Sequence, residues 1–383
     1  MLKLILALLV ASPSPLRLCG PDKPLAPLLE EANALAVVLE RASEHRLQIS
    51  VAEVREDCLQ RYTYRVGQEY FYPASSIKLL GAVSAVQWQE SQSKVNLDTP
   101  LIVERSSIVV AGDRLEVSSQ TEPQPLRETL DETLVVSSNS GFNRLYDIAG
   151  QDALNSPYWN AGFKSVRLRH RLSSRGFPRV IQQVAPPIRL TRGKRLSPMR
   201  RSNLAFKQNP GARAFAGSAH IDPVSGDTVN KPLPFEDRNA IDLFDLQGVL
   251  VNVVHPRLVH QPLTLSAEGR AALRGILAKQ VADPPEAGAP EDRIKYKPLL
   301  AGFRRGLSSP VHFENKAGRA YGFQVDNAYV RDSKSGRELF VAATLYINAN
   351  GVVGDDQYEY DTTGLGFLEN LGETLARHWF ATP

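Results

Sequence analysis

The hydrophobic positions near the N-terminus recur at helical spacing and then change to a strand-like pattern. Residues 25–45 carry apolar side chains three or four positions apart, which predicts an amphipathic helix packed beneath a sheet. Two strand-like segments follow, near 48–54 and 59–66. Strand patterns return only late in the chain and precede a terminal helix; these segments are 311–317, 321–331, 339–347 and, for the helix, about 364–378.

The middle of the chain shows mainly helical periodicity. Residues 77–88 form an apolar helical run, and the segments 126–136 and 141–149 show similar spacing on either side of a short polar stretch. Because strands lie at both ends and helices between them, we predict one discontinuous sheet and a mostly helical lobe from roughly 79 to 300. The groove between the two parts is the expected place for a functional site.

Composition alters this interpretation in one segment only. The 383 residues, 43% hydrophobic and 22% charged with a formal net charge of +4, are ordinary for a soluble globular protein. Residues 153–221, however, contain fourteen Lys or Arg and neither Asp nor Glu. Because Pro and Gly interrupt this stretch, we predict a basic insertion at about 173–238. Either it binds an anionic envelope polymer or it is a solvated surface; the absence of a nucleic-acid motif argues against nucleic acid.

The first residues resemble an export signal. Lys3 precedes the short apolar run 4–11, so we predict a signal peptide or leader over 1–18 and a mature domain over 24–383. The expected location is the bacterial periplasm or exterior. Leu18 before Cys19 makes lipidation the weaker alternative. Cys19 and Cys58 either pair in an oxidising compartment or stay unpaired, and we expect no metal, no cofactor and a monomer.

A serine and a lysine three positions apart are the first candidate for chemistry. Ser75 and Lys78 open the apolar helical run, so both side chains are expected on one face, where an amine can reach a hydroxyl. The start of a helix also supplies N–H groups for a developing oxyanion. A lone S-x-x-K motif equally fits a helix cap followed by a solvated lysine, so further motifs are needed.

Two further motifs follow in order, Ser137-Ser138-Asn139 between helical runs and Lys316-Ala317-Gly318 at the end of a strand. The order S-x-x-K, S-x-N and K-[TSA]-G resembles the penicillin-recognising serine enzymes, namely class A β-lactamases and D,D-peptidases. With matching flanks, the resemblance covers about two thirds of the chain. It implies an α/β fold in which helices flank an antiparallel sheet beside a mostly helical lobe. The segment 354–361 is similar to a less characterised branch of bacterial serine hydrolases.

The resemblance implies a role for each motif residue. Ser75 is the expected nucleophile, Lys78 its base with a pKa lowered by burial and Lys316, and Ser137 a proton relay. The remaining expectations concern substrate binding: Asn139 holds a substrate amide, the N–H groups of Ser75 and Arg319 form the oxyanion hole, and Ala317 and Gly318 line the site. Because Ala317 lacks the usual hydroxyl, Arg319 is expected to pair with a substrate carboxylate.

The resemblance is weakest where a class A β-lactamase activates water. The loop that should carry a glutamate reads Arg169-His170-Arg171-Leu172-Ser173, without a carboxylate. Three interpretations stay open. The base is Lys78, His170, Asp237 or Asp242, or the enzyme acylates and releases slowly, or the serine does not turn over.

These observations predict an exported class A β-lactamase-like serine hydrolase. It would form a Ser75 acyl-enzyme on an amide or ester, with β-lactams and peptidoglycan-like peptides as candidate substrates. The first alternative is a D,D-peptidase or esterase of the same superfamily. The second is an inactive module that binds an envelope polymer through Arg192, Lys194 and Arg195.

Overall fold

The computed structural model describes residues 14–118, 122–173, 179–206, 214–279, 296–307 and 309–380. Its helices in chain order are α1 (Ala26–Glu30), α2 (Ala36–Leu39), α3 (Lys78–Glu90), α4 (Leu126–Leu134), α5 (Asn139–Ala149), α6 (Ser156–Asn160), α7 (Arg179–Gln182), α8 (Leu243–Val254), α9 (Ala267–Ala278), α10 (Pro298–Gly306) and α11 (Leu365–Trp379). Short 3₁₀ turns span Asn33–Leu35, Ala74–Ile77 and Pro256–Leu258, and a π-helical turn spans Tyr360–Gly364.

The strands divide into a main sheet and several small sheets. Those of the main sheet are β1 (Lys23–Pro24), β2 (Gln48–Val54), β3 (Leu59–Tyr64), β16 (Val311–Asn315), β17 (Gly318–Ala320), β18 (Phe323–Asp332) and β19 (Glu338–Tyr346). The others are β4 (Pro100–Val103), β5 (Ser106–Val110), β6 (Asp113–Ser118), β7 (Gln124–Pro125), β8 (Val184–Ala185), β9 (Ile188–Leu190), β10 (Arg195–Ser197), β11 (Arg200–Arg201), β12 (Phe215–Ala216), β13 (Ala219–Ile221), β14 (Thr228–Val229), β15 (Leu233–Pro234) and β20 (Val352–Val353).

The main sheet joins the two ends of the chain. Its strand order is β1-β3-β2-β19-β18-β16, with β17 pairing separately to β18. Strand β19 pairs antiparallel with β2, so Val341 lies opposite Val51. The predicted discontinuous sheet is therefore confirmed, and the α/β fold class with it.

Each face of this sheet is covered by a hydrophobic core. On β19, Phe340 and Ala342 pack into the core shared with α3, α5 and α8, while Val341 and Ala343 face the core shared with α10 and α11. Because both faces are buried, the strand is apolar at consecutive positions rather than alternating. Helices α10 and α11 approach closely, since a Cβ on Gly302 would collide with the backbone of Glu369.

The predicted helix over 25–45 is divided into α1, a 3₁₀ turn and α2. Ala32 adopts an extended conformation with ψ of 90°, which ends the first helical segment. Leu29, Leu35 and Val38 are nonetheless buried in the core shared with α11. The apolar periodicity predicted the buried positions correctly, but it did not indicate that two separate helical segments carry them.

The two ends of the predicted insertion lie side by side. Arg167 and Ala240 form an antiparallel bridge, and the Asn239 N–H donates to His170 Nε2 at 3.1 Å. Several basic side chains here hold the fold together. Arg171 forms a buried ion pair with Asp147, and Arg200 donates to the last carbonyl groups of α5, including Ala149 O at 2.9 Å.

The N-terminal arm packs on the domain. Leu16 is buried and forms a bridge with Val259, and a disulfide joins Cys19 to Cys58 in the hairpin between β2 and β3. Of the predicted leader, only residues 14–18 lie within the described residues. Among the described helices, none combines the length and apolar character that crossing a membrane requires.

Candidate active site

The candidate nucleophile lies on a tight turn that leads into α3. Ser75 belongs to the 3₁₀ turn Ala74–Ile77, and the α-helix itself begins at Lys78. In a 3₁₀ turn, side chains three positions apart eclipse one another, so Ser75 and Lys78 lie on the same side. Ala74 has a φ of 48°, an unfavourable value for a residue with a Cβ, immediately before the serine.

Strand β17 passes against this turn at Gly318. A Cβ there would lie 2.6 Å from Ser75 N and 2.7 Å from Ser76 N, which no real side chain tolerates. Glycine is therefore required for the strand to lie so close to the turn. This contact brings the segment that carries Ala317 and Arg319 beside Ser75.

Lys78 is fully buried in a cage of oxygen atoms. Its Nζ donates to Ser137 O, to Ser137 Oγ at 3.2 Å and to Asn139 Oδ1 at 2.7 Å. Burial, followed by the positive charge of Lys316, lowers the pKa of Lys78 to about 6. The oxygen cage favours the ammonium form and burial favours the amine. The side chain is therefore suited to exchange a proton near neutral pH.

Lys316 approaches Ser137 from the opposite side. Its Nζ donates to Ser137 Oγ and to Ala317 O, both at 2.9 Å. Burial lowers the pKa of Lys316 to about 7, although the carboxylate of Asp326 opposes the shift. The hydroxyl of Ser137 thus lies between two buried amines.

The structure brings these motif residues together but leaves one contact open. Within the described part of the chain, no group hydrogen-bonds to Ser75 Oγ, and Lys78 is engaged with Ser137 and Asn139 instead. Lys78 must exchange a partner before it can take the serine proton. Catalytic hydrogen bonds often form only when substrate is bound, so this geometry does not oppose the predicted roles.

The predicted substrate-binding residues differ in their partners. Asn139 accepts from Lys78 and donates through Nδ2 to Ser173 Oγ at 2.7 Å, and Ala317 is buried. Arg319 is already paired with Asp361 at 2.5 Å, and Asp361 is 79% exposed. A substrate carboxylate would have to compete with this exposed partner.

The structure argues against three of the suggested water-activating groups, His170, Asp237 and Asp242. His170 accepts from the Asn239 N–H at Nε2 and donates from Nδ1 to Arg171 O at 2.7 Å, so neither ring nitrogen is available. Burial lowers the pKa of His170 to about 4, mainly because the charged ring would be desolvated. The carboxylate of Asp237 is 72% exposed and faces Arg169, and that of Asp242 caps α8 through the Asp245 N–H.

A buried polar network behind Lys316 was missed at the sequence level. Asp326 is fully buried in β18 and accepts from Asn315 Nδ2 at 2.7 Å, while Lys297 donates to Asn315 Oδ1 at 2.9 Å. Burial raises the pKa of Asp326 to about 6. The available signal was an aspartate between apolar strand residues, Val325 before it and Ala328 two positions after it.

The described residues contain no group of three or more His, Cys, Asp or Glu side chains arranged to hold a metal ion. The site instead gathers two hydroxyls, two amines and a carboxamide. Such a set suits nucleophilic attack on a carbonyl carbon with proton relay.

Comparison with known proteins bears on the fold and on the family that the chain resembles. The model of the β-lactamase enzyme family matches residues 30–205, while no curated protein sequence matches the chain. A mutant of PBP-A, solved as an acyl-enzyme complex with penicillin G, is 13% identical with a TM-score of 0.55; the match covers 94% of this chain and 98% of that one. The chromosome-encoded β-lactamase of Vibrio parahaemolyticus is 16% identical with a TM-score of 0.50, over 93% and 100% of the two chains.

A class A β-lactamase from Mycobacterium abscessus is 13% identical with a TM-score of 0.50, and the match covers 91% of this chain and 100% of that one. At such identities the solved structures establish the fold. The fold is therefore that of the β-lactamases, and residues 30–205, a little less than half of the chain, match the β-lactamase enzyme family.

Proposed function

We propose that the protein is a serine hydrolase that forms an acyl-enzyme through Ser75 on an amide or ester, with β-lactams among its substrates. One observation carries the proposal. The Ser137 hydroxyl lies 3.2 Å from Lys78 Nζ and 2.9 Å from Lys316 Nζ, beside the turn that holds Ser75. Two amines of lowered pKa joined by a hydroxyl form a path for a proton from the nucleophile to a leaving nitrogen.

The proposed reaction begins when Lys78, as the neutral amine, accepts the Ser75 proton. The serine oxygen attacks the carbonyl carbon, and the N–H groups of Ser75 and Arg319 stabilise the oxyanion, which in such sites is worth about a hundredfold in rate. Ser137 then donates a proton to the leaving nitrogen and regains one from Lys78 or Lys316. The leaving group departs as the acyl-enzyme forms.

Release of the acyl group is proposed to be slow. In the loop Arg169–Ser173, the residue that hydrogen-bonds to Asn139 is Ser173, whose side chain is not a base. The neighbouring His170 uses both ring nitrogens in hydrogen bonds to the backbone. Water beside the ester would therefore depend on Lys78 for activation, which favours a long-lived intermediate.

Mass spectrometry with penicillin G tests this proposal. The intact protein should gain the mass of one penicillin, and Ser75→Ala should gain none. Ser43→Ala, an exposed serine away from the site, is the matched control and should label like the unmodified chain. Labelling that persists in Ser75→Ala would contradict the assignment of the nucleophile.

A D,D-peptidase or esterase is the second candidate, and the loop without a carboxylate favours it. Turnover of nitrocefin, of a peptide ending in D-Ala-D-Ala and of a nitrophenyl ester separates these activities. Fast turnover of nitrocefin alone would support a β-lactamase. Turnover of the peptide or the ester alone would support the second candidate.

Of the three cations suggested to bind an envelope polymer, one already has a carboxylate partner. Arg192 and Lys194 are exposed in the hairpin between β9 and β10, but Arg195 pairs with Glu104 at 3.0 Å. Binding of an anionic envelope polymer that survives Ser75→Ala and fails when these three cations are neutralised would support it. For location, the Cys19–Cys58 disulfide supports our proposal of an oxidising compartment such as the periplasm, which cell fractionation tests.

A further inference from the structure

The insertion contributes a buried side chain to the core beside the candidate active site. Phe235, which follows β15 directly, is fully buried in the same core as Tyr72 and Phe323. Its N–H donates to Ala214 O at 2.7 Å, which ties it to the residue before β12. This part of the insertion is therefore core rather than solvated surface.

A second contact holds the β12–β15 hairpin to the main sheet. Arg46, two residues before β2, donates from Nη1 to Phe215 O at 2.7 Å. Its guanidinium also lies over the rings of Phe215, Phe323 and Tyr346, at 5.7, 5.8 and 5.2 Å from their centroids. Cations stack favourably on aromatic faces, and the last two rings belong to β18 and β19. The hairpin is thus fixed to the sheet, and Phe235 with it.

The ring of Phe235 contacts the two segments that carry the proposed oxyanion-hole N–H groups. Its centroid lies 5.1 Å from that of Tyr72, which precedes Ser75 by three residues. It lies 5.6 Å from that of Tyr321, which follows Arg319 by two residues. The two tyrosine rings also meet each other, with centroids 5.5 Å apart. Tilted and edge-to-face ring pairs have preferred geometries, so Phe235 helps to fix the spacing between the two segments.

Unfavourable backbone conformations occur in the same two segments. Ala74, directly before Ser75, has a φ of 48°. Tyr321 and Gly322, which join β17 to β18, have φ values of 56° and 82°. Asparagine followed by glycine is the usual pair in such a turn, whereas a bulky side chain at positive φ is rare. These conformations persist only where the surroundings enforce them, and the packing of Phe235 against Tyr321 supplies such a constraint.

We propose that Phe235 is a positioning residue through which the insertion holds the oxyanion hole in its working geometry. It acts on Ser75 through Tyr72 and on Arg319 through Tyr321. The inference rests on the proposed function, because these two N–H groups are the ones proposed to stabilise the oxyanion. A displacement of about 1 Å can cost about a hundredfold in rate, so the packing of one ring can control acylation.

Replacement of the ring in the full chain tests the proposal. Phe235→Leu should lower the acylation rate constant at saturating penicillin G about tenfold, less than the loss of one oxyanion donor costs, and leave the dissociation constant of the noncovalent complex unchanged. Affinity for phenylboronic acid should fall by the same factor, because its tetrahedral adduct on Ser75 places an oxygen in the same hole.

Two further variants complete this test. Phe235→Met fills the space flexibly without a ring, so it should show the same fall, and it decides the question if Phe235→Leu does not fold. Phe380→Leu removes a buried ring from the core on the other face of the main sheet. It is the control and should acylate like the parent protein.

Amide hydrogen exchange reports on the positioning without chemistry. Peptides covering 70–78 and 316–323 should exchange faster in Phe235→Leu than in the parent protein or in Phe380→Leu. Acylation at the parent rate in the Phe235 variants would overturn the proposal, as would an equal loss of rate in Phe380→Leu. The absence of any adduct on the parent protein would contradict the proposed function instead. Exchange would then decide the positioning by itself: faster exchange in both segments supports it, and unchanged exchange overturns it.

Discussion

Ser137 combines an unfavourable backbone conformation with contacts to both buried amines. Its φ is 60°, a region that residues with a Cβ rarely adopt, and its hydroxyl lies within hydrogen-bonding distance of Lys78 and Lys316. Such strain costs about 1–3 kcal/mol and persists where the surroundings enforce it. The cost at Ser137 is consistent with a hydroxyl held in place for chemistry.

Substitution at Ser137 should separate activity from stability. Ser137→Gly and Ser137→Ala both remove the hydroxyl, so acylation by penicillin G should fall about a hundredfold in each, the lower end of the range for general acid–base effects. Glycine relieves the positive φ, so Ser137→Gly should be more stable than Ser137→Ala by about 1 kcal/mol in urea unfolding. Equal stability of the two variants would contradict the strain, and unchanged acylation would contradict the relay.

The two lowered pKa values predict how acylation depends on pH. Lys78 must lose its proton to act as a base, and its pKa is about 6, so the acylation rate should rise with pH through that region and level off above it. The charge of Lys316 contributes to this lowering. Lys316→Met should therefore move the acidic limb to higher pH in a stopped-flow profile. A limb that stays in place would show that burial alone sets the pKa of Lys78.

At the scale of elements, the loop Arg169–Ser173 decides how the site differs from a class A β-lactamase. Its backbone is held at Leu172, where the N–H donates to Asn143 Oδ1 at 2.7 Å and the carbonyl accepts from Asn143 Nδ2 at 2.9 Å. Ser173 then turns towards Asn139 with a φ of 50°. The backbone of the loop is thus held in place, but the loop has no carboxylate that could activate water.

A carboxylate at this position should shorten the life of the acyl-enzyme. Ser173→Asp would place an acid next to Asn139, and aspartate tolerates a positive φ better than most residues. We expect at least about tenfold faster deacylation, within the range of a general base. Ser173→Asn is the matched control, similar in shape and uncharged, and should leave the half-life unchanged in timed mass spectrometry. Equal acceleration by both variants would exclude base catalysis as the cause.

Sequence patterns predicted the longer strands of the main sheet and several helices to within a few residues, whereas the small strands β4 to β15 and β20 were not predicted. The strands later assigned as β2, β18 and β19 and the helices α4 and α11 all follow the expected segments, because buried faces impose regular apolar spacing. The continuous helix over 25–45 was wrong, since Ala32 is extended. Motif order alone also could not place Asp326 in the site. Asp326 accepts a hydrogen bond from Asn315, and only strand pairing brings these two residues together.

At the scale of the whole molecule, the chain closes by long-range contacts between its ends and its middle. The N-terminal arm is tied to the β2–β3 hairpin by the Cys19–Cys58 disulfide, which spans a sequence separation of 39. Strand β13 of the insertion pairs in parallel with β20, which lies near the C-terminus. It therefore contacts parts of the chain that are distant in sequence.

Loss of the disulfide should destabilise the protein without changing the site. A loop of this length is worth about 3–4 kcal/mol through the entropy of the unfolded chain. The double variant Cys19→Ser/Cys58→Ser should lose that amount in urea unfolding and still label with penicillin G. The parent protein under reducing conditions is the control and should match the variant. Unchanged stability in both would contradict a structural role for the bond.

The sequence by itself determined the longer strands of the main sheet, several helices and the identity of the motif residues, because apolar periodicity and short motifs are local properties. Only the tertiary structure placed the Ser137 hydroxyl between two amines and hydrogen-bonded His170 to backbone groups. It also showed that Arg171 and Arg200 stabilise the fold, Arg171 by pairing with Asp147 and Arg200 by donating to carbonyl groups of α5. These features depend on distances between residues far apart in the chain. Burial and pairing, which set the pKa and the availability of each group, exist only once the fold has formed.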